Sequence, residues 1–177
     1  MQCQPPASAV EGKAEASRIS ARKLKTPVGA LQVVASDEAV LYIDPRRRGE
    51  TESPFERWLL GRGETPALHA ALVQLREYFA GKRRHFDVPV SPSGTAFQER
   101  VWHLVAAIPY GETVSYGSIA EQLDSSPRAV GAAVGANPIP IIIPCHRVIG
   151  ADNSLTGYGG GLRMKIWLLR HEHALLT

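Results

Sequence analysis

The chain has 177 residues, of which 44% are hydrophobic, and it carries a formal net charge of +3 with a pI near 9.0. This composition is that of a globular protein, and it holds neither a signal peptide nor an apolar run long enough to span a membrane. Two cysteines, Cys3 and Cys145, exclude a disulfide framework and indicate a reducing cytoplasmic compartment, or a nuclear one in a eukaryote. A small basic excess is compatible with nucleic acid but does not by itself indicate it.

The first part of the chain has the pattern of a tail followed by a small sheet. Residues 1–20 are polar, and we expect them to be disordered. Stretches at 23–27, 30–35 and 39–44 contain β-branched residues and are separated by turn signals, which predicts antiparallel strands. The basic cluster Arg46-Arg47-Arg48 follows Asp44-Pro45 in a turn-rich segment and predicts an exposed loop.

A helix and a domain boundary come next. Thr65-Pro66 is a typical helix start and Gly81 a typical helix end. The apolar residues between them share one face, which we expect to cover the sheet: Leu68, Leu72, Leu75 and Phe79. Two prolines and a glycine within residues 86–94 indicate a boundary, so we predict an N-terminal α/β domain at 21–90 and a second domain at 91–177.

The second domain is predicted to be mostly helical. Thr95 can cap a helix that ends before Pro109-Tyr110-Gly111. Two short helices follow, at 118–123 and from Ser126-Pro127 to about residue 136, and the tight turn between them is typical of a helix-turn-helix. A last helix is predicted over about residues 162–173, with Leu162, Ile166 and Leu169 on one side.

The thiol of Cys145 is the candidate reactive group. A cysteine attacks as its thiolate, and an ordinary thiol with a pKa of about 8.5 needs a base or a cation beside it. His146 is the obvious base, provided that the chain bends at Pro144 or that a water joins the two side chains. The alternative is that Cys145 is a small buried hydrophobic residue after three isoleucines, which is the commoner role of a free cysteine.

The second of the paired helices has unusually small side chains, with Ala129, Gly131, Ala132 and Gly135 along it. It lacks the residues that read bases in the major groove. Small side chains suit either close packing inside the protein or close approach to a DNA minor groove, and the sequence leaves both open. Arg128 favours the second, because a cation in the first turn opposes the helix dipole and therefore serves another purpose.

The run Pro144-Cys145-His146-Arg147-Val148, with Asn137-Pro138 before it and a glycine-rich segment after it, resembles the O6-alkylguanine-DNA alkyltransferases. The resemblance covers about residues 95–175. It implies an α/β (α+β) fold, with a ribonuclease-H-like antiparallel sheet and covering helix, and then a mostly helical, winged helix-turn-helix DNA-binding domain. The first domain matches more loosely, through its length and its order of strands and helix.

The resemblance implies DNA repair by direct damage reversal. Such a protein flips an O6-alkylguanine, and also an O4-alkylthymine, out of double-stranded DNA that it binds through the minor groove. It then transfers the alkyl group to Cys145, which is the activity of a methylated-DNA–protein-cysteine methyltransferase and needs no cofactor. Because a thioether is not opened by thiol exchange, we expect each molecule to act once. We also expect a monomer that can cluster along DNA.

The same resemblance implies roles for individual residues. Glu172 orients His146, which takes the thiol proton of Cys145 through a water. Asn137 ties the active-site loop to the small-sided helix by bonding backbone groups.

Other implied roles concern the base. Tyr116 donates a hydrogen bond or proton to it and contacts DNA by pressing on the flanking phosphate. Arg128 fills the space that the base leaves in the stack, which suits a planar guanidinium. The helix that carries Arg128 contacts DNA, and the residues that line the base pocket are Pro140, Val148 through its carbonyl, Tyr158 and Gly159.

The sequence departs from the family's pattern at two points. Gly159 stands where many members have serine, which keeps the backbone donor but loosens the loop. Some members hold a structural zinc in the first domain through two cysteines and two histidines. Because only Cys3, His69 and His85 are available here before the boundary, we predict no zinc.

Two other functions remain open at this point. A binding-only helix-turn-helix protein would recognise alkylated DNA without transfer, although such relatives replace the cysteine that this chain keeps. A Cys-His hydrolase would need an oxyanion hole, and its histidine is usually remote in sequence from the cysteine.

Overall fold

The computed structural model describes residues 18–45 and 63–175. The predicted tail lies almost wholly outside the described residues, as do Cys3 and the cluster Arg46-Arg47-Arg48. The chain divides into two compact units on either side of the Ser93–Gly94 bond.

The first unit contains a three-stranded antiparallel sheet, which confirms the strands predicted there. Its strands are β1 (Ser20–Thr26), β2 (Gly29–Ala35) and β3 (Val40–Pro45), in the order β1-β2-β3. Thr26 pairs with Gly29, so a two-residue turn joins β1 to β2. The register between β2 and β3 shifts between Val34 and Ala35.

Helix α1 (Pro66–Phe79) packs against this sheet, as predicted. The side chain of Thr65 caps the helix by accepting a hydrogen bond from the backbone of Leu68 at 3.3 Å. The predicted apolar face is wrong at its last position, because Tyr78 is fully buried and Phe79 is only half-buried. Helical spacing permits either residue there, and packing decides between them.

The second unit begins with helix α2 (Ala96–Ala106). Its predicted cap is confirmed as a reciprocal pair: Thr95 accepts from the backbone of Gln98, whose side chain accepts from the backbone of Thr95. The remaining elements are β4 (Val114–Ser115), α3 (Tyr116–Gln122), α4 (Pro127–Gly135), a 3₁₀ turn (Cys145–Arg147), β5 (Val148–Ile149) and α5 (Leu162–His171). Strands β4 and β5 are parallel partners.

Helices α3 and α4 form the predicted helix-turn-helix. Asp124, with φ of 48°, turns the chain between them, and Ser126 caps α4. Helix α4 also packs on α2, where the indole nitrogen of the buried Trp102 donates a hydrogen bond to the carbonyl of Ala133 at 2.8 Å. The hydrogen bond from Trp102 therefore holds α4 against α2. The fold class predicted from the sequence is confirmed.

The last helix differs from its prediction. It ends at His171, two residues early, so that Glu172 caps it. Leu162 is 46% exposed, and the buried side chains are those of Met164, Lys165, Leu168 and Leu169. The predicted apolar face is confirmed at Leu169 and wrong at Leu162, because a lysine occupies part of the buried face, which an apolar pattern cannot reveal. No helix within the described ranges is long and apolar enough to cross a membrane.

Candidate active site

The loop that leads to Cys145 is closed by the side chain of Asn137. Its amide nitrogen donates to the carbonyl of Ile143 at 2.8 Å, and its oxygen accepts from the backbone of Ile139 at 3.0 Å. Ile141, inside this loop, has φ of 77°, a conformation that costs a β-branched residue about 1–3 kcal/mol. Such a conformation persists only where the surroundings impose it, so the loop is held tightly.

Cys145 and His146 lie in a 3₁₀ turn that begins after Pro144. The predicted bend is therefore present, and neighbouring side chains do not point to opposite sides as they would in a strand. Cys145 is 5% exposed and His146 is fully buried. The turn brings both side chains into the interior of the second unit.

The thiol is protonated at rest. Burial raises the pKa of Cys145, while hydrogen bonds with the side chains of Asn137 and Tyr158 and the charge of Lys165 oppose this rise. Because the effect of burial on the pKa is the larger one, a base has to remove the thiol proton. The same three neighbours then partly compensate the negative charge of the thiolate.

The base is set up by a buried carboxylate. The Nε2 atom of His146 lies 2.8 Å from Oε1 of Glu172, and both side chains are fully buried. Arg147 contacts the same carboxylate, with Nε 2.8 Å from Oε2 and a terminal nitrogen 3.0 Å from Oε1. Burial alone would raise the pKa of Glu172, but the hydrogen bonds from His146 and Arg147 outweigh it and lower the pKa to about 2.

An ionised Glu172 fixes the roles of the two imidazole nitrogens. A carboxylate can only accept, so Nε2 of His146 carries the hydrogen and Nδ1 carries the lone pair. Nδ1 is buried and has no hydrogen-bond partner within the described ranges. Burial lowers the pKa of His146 despite the opposing carboxylate, so the ring is neutral and able to accept a proton.

The depressed pKa of Glu172 predicts how stability depends on pH. The carboxylate stabilises the fold fully above about pH 4.5, and this contribution disappears as pH falls towards 2. A shift of this size corresponds to about 3 kcal/mol. Urea unfolding followed by tryptophan fluorescence should therefore show a steeper loss of stability on acidification for the natural chain than for Glu172→Gln. Parallel curves for the two proteins would contradict the prediction.

Lys165 and Tyr116 complete the surroundings of the thiol. Lys165 is fully buried; its Nζ donates to the carbonyl of Val148 at 2.6 Å and lies 5.9 Å from the centroid of the Tyr116 ring. Burial lowers the pKa of Lys165, and the charge on Cys145 opposes this. Burial raises the pKa of Tyr116, a hydrogen bond with Thr156 opposes this, and a charge on Cys145 raises the pKa further.

Apart from Tyr116, which begins α3, the predicted DNA-contacting residues lie on one face of α4. Arg128, Ala132 and Gly135 are exposed, and Ala129 and Gly131 are half-buried, while Val130, Ala133 and Val134 face the core. A Cβ atom on Gly135 would meet nothing within 4 Å, and one on Gly131 would meet only the Tyr116 ring, at an ordinary 3.8 Å. Packing inside the protein therefore does not require these two glycines.

Only some of the predicted pocket residues lie near the thiol. Pro140 is buried in the loop closed by Asn137, and the carbonyl of Val148 already accepts from Lys165. Tyr158 is half-buried, and its side chain is one of the neighbours that oppose the raised pKa of Cys145. Gly159 is exposed, and a Cβ atom there would meet nothing within 4 Å.

Sequence reasoning missed two of these residues. Lys165 belongs to no motif. The signal that could have found it is its position three and four residues before Leu168 and Leu169, which places it on the same face of the helix as these two leucines. Arg147 belongs to the recognised motif, but nothing in the motif predicts its two hydrogen bonds to Glu172. Within residues 18–45 and 63–175, no cluster of three or more His, Cys, Asp or Glu side chains could hold a metal ion.

The fold and the site together define a class of protein: a helix-turn-helix unit with a buried, base-supported cysteine, preceded by a small α/β unit. Residues 96–174 match the family model of the 6-O-methylguanine DNA methyltransferase DNA-binding domain, and residues 19–92 match the ribonuclease-like domain of the same proteins. The chain therefore belongs to the 6-O-methylguanine DNA methyltransferase family.

Individual relatives agree with this placement. A methylated-DNA–protein-cysteine methyltransferase of Mycolicibacterium paratuberculosis is 44% identical over 172 residues, which span 90% of this chain and 98% of that protein. The crystal structure of the Mycobacterium tuberculosis O6-methylguanine methyltransferase has a TM-score of 0.76 at 43% identity, covering 88% of this chain and 93% of that one. A Mycobacterium tuberculosis OGT structure in complex with DNA has a TM-score of 0.75 at 43% identity, covering 87% and 92%.

Proposed function

We propose that this protein repairs DNA by transferring the alkyl group of O6-alkylguanine, and of O4-alkylthymine, to Cys145. The observation that carries the proposal is the buried Cys145 thiol, which shares one interior site with the neutral His146 and the ionised Glu172. Membership of the alkyltransferase family supplies the reaction class, and the DNA-bound relative supports a DNA partner.

The chemistry balances with the residues present. The thiol proton passes to Nδ1 of His146, directly or through a water, and Glu172 stabilises the imidazolium that forms. The sulfur then forms a bond to the alkyl carbon as the bond from that carbon to O6 breaks. The electron pair leaves with the purine, which becomes ordinary guanine after taking up one proton. Tyr116 is the proposed donor, because its ring lies beside Lys165 and Gly131, and a raised pKa keeps its hydroxyl protonated.

The exposed face of α4 is the proposed contact with the minor groove. Its small residues let the helix approach closely, and neither Gly131 nor Gly135 is required by internal packing. Arg128, exposed in the first turn, would enter the stack when the damaged base flips out. Asn137 ties the end of this helix to the loop before Cys145, and Pro140, Val148, Tyr158 and Gly159 would line the base pocket.

A thioether at Cys145 is stable towards thiols, so the proposed reaction consumes the protein. Cys145 has no cysteine partner within the described residues that could resolve it. We infer a monomer on DNA, since the residues proposed for the reaction all come from one chain, and neighbouring molecules can cluster along the duplex.

The test is to incubate the full chain with duplex DNA that contains O6-methylguanine and then to measure its mass. We expect the mass of one methyl group on Cys145, at no more than one per molecule, and none on Cys145→Ser. DNA binding without any mass gain would favour a binding-only protein, and several turnovers per molecule would contradict a consumed thiol. Release of product from peptide or ester substrates would favour a hydrolase.

A further inference from the structure

Arg147 makes more contacts in the site than its position after His146 suggests. Its side chain is 7% exposed, and its Nε and one terminal nitrogen both donate to Glu172, at 2.8 and 3.0 Å. The other terminal nitrogen donates to the carbonyl of Ile108, and the guanidinium carbon lies 5.8 Å from the centroid of the Tyr110 ring. The guanidinium is therefore held on several sides with its fork directed at the carboxylate.

Glu172 needs a cation to remain charged. A fully buried carboxylate without a compensating charge takes up a proton, because burial disfavours the ionised form. His146 also approaches this carboxylate at hydrogen-bond distance, but its ring is neutral at rest. Arg147 brings a full positive charge and two of the hydrogen bonds.

The charge on Glu172 decides which nitrogen of His146 is the base. An ionised carboxylate accepts from Nε2–H and leaves the lone pair on Nδ1. A protonated Glu172 would instead donate its hydrogen to Nε2, so that Nδ1 would carry the ring hydrogen and could not accept the thiol proton.

We propose that Arg147 is a positioning residue that fixes the tautomer of His146 by holding Glu172 in its ionised form. This inference rests on the proposed function, in which Nδ1 receives the proton of Cys145. Once His146 has accepted the thiol proton, Arg147 also disfavours proton transfer from the imidazolium to Glu172. The positive charge therefore stays on His146 while Cys145 is a thiolate. Of the other titratable groups, Lys165 on α5 acts on His146 through its charge, and the ring of Tyr110, which follows α2, lies beside the Arg147 guanidinium.

The experiment is nitrogen NMR of the full chain, which identifies the nitrogen of His146 that carries hydrogen, with no DNA present. We expect hydrogen on Nε2 in the natural protein and on Nδ1 in Arg147→Met. Arg147→Lys should keep the natural tautomer, because an ammonium retains the charge although it loses the two-point contact. Arg170→Met, at an exposed position near the end of α5, is the matched control and should leave the tautomer unchanged.

Methyl transfer provides a second readout. Arg147→Met should react about 100-fold more slowly, because Nδ1 of His146 then has no lone pair to accept the thiol proton. This factor is a typical contribution of general-base catalysis. Arg147→Lys should recover most of that rate.

Hydrogen on Nδ1 in the natural protein, or on Nε2 in a folded Arg147→Met, would overturn the proposal. If Arg147→Met does not fold, the natural protein and Arg147→Lys decide, since both are expected to carry hydrogen on Nε2. The NMR result requires no alkyl donor. The proposal on Arg147 can therefore fail while Cys145 still gains a methyl group, and the proposed function can fail while the tautomer is as expected.

Discussion

Replacing Arg128 by alanine should slow methyl transfer from duplex DNA strongly and leave transfer from free O6-benzylguanine almost unchanged. Arg128 is exposed in the first turn of α4, where it makes no contribution to the buried thiol site. If its guanidinium fills the space left by a flipped base, it offsets part of the few kcal/mol that unstacking costs. Its loss removes that compensation, which corresponds to about 10- to 100-fold in rate. The free base needs no flipping, so its rate should change by less than about twofold.

The measurement compares second-order rates for both substrates. Arg76→Ala, which removes an exposed arginine from α1 and changes the net charge equally, is the control for a general loss of DNA attraction. Arg128→Lys should lie between the natural protein and Arg128→Ala, because an ammonium keeps the charge without the planar stacking surface. Equal losses on duplex and free base would contradict a role in flipping.

Replacing Lys165 by methionine should slow both reactions equally. Lys165 is fully buried and its charge lowers the pKa of Cys145, so its removal leaves burial to raise the pKa of the thiol further. Less of the thiol is then ionised at neutral pH, so both rates should fall together. The carbonyls of Val148 and Thr156 also lose their donor, which should cost about 1–3 kcal/mol of stability.

The pH dependence of iodoacetamide alkylation separates the two effects. The midpoint for Cys145 should move upward in Lys165→Met, whereas a purely structural loss would leave it in place. Arg163→Met, at an exposed position of the same helix, is the matched control and should keep the natural midpoint. An unchanged midpoint in a folded Lys165→Met would show that Lys165 does not act on the thiol through its charge.

Much of the fold could be predicted because its signals are local. Thr65, Thr95 and Ser126 each cap the helix that they precede, and the β-branched stretches of the first unit pair as predicted. The motif around Cys145 was sufficient to identify the family. The predicted covered faces were right at Leu68, Leu72, Leu75 and Leu169 and wrong at Phe79 and Leu162, where packing decides which residue is covered.

The sequence by itself therefore determined the elements, the family and the identity of the candidate thiol and base. The tertiary structure decided the electrostatics of the site. Glu172 meets His146 and Arg147 across 26 and 25 residues, and Lys165 reaches Val148 across 17. The burial of a charged side chain and the partner that keeps it charged both depend on contacts between elements that are distant in sequence. No local pattern can therefore predict them.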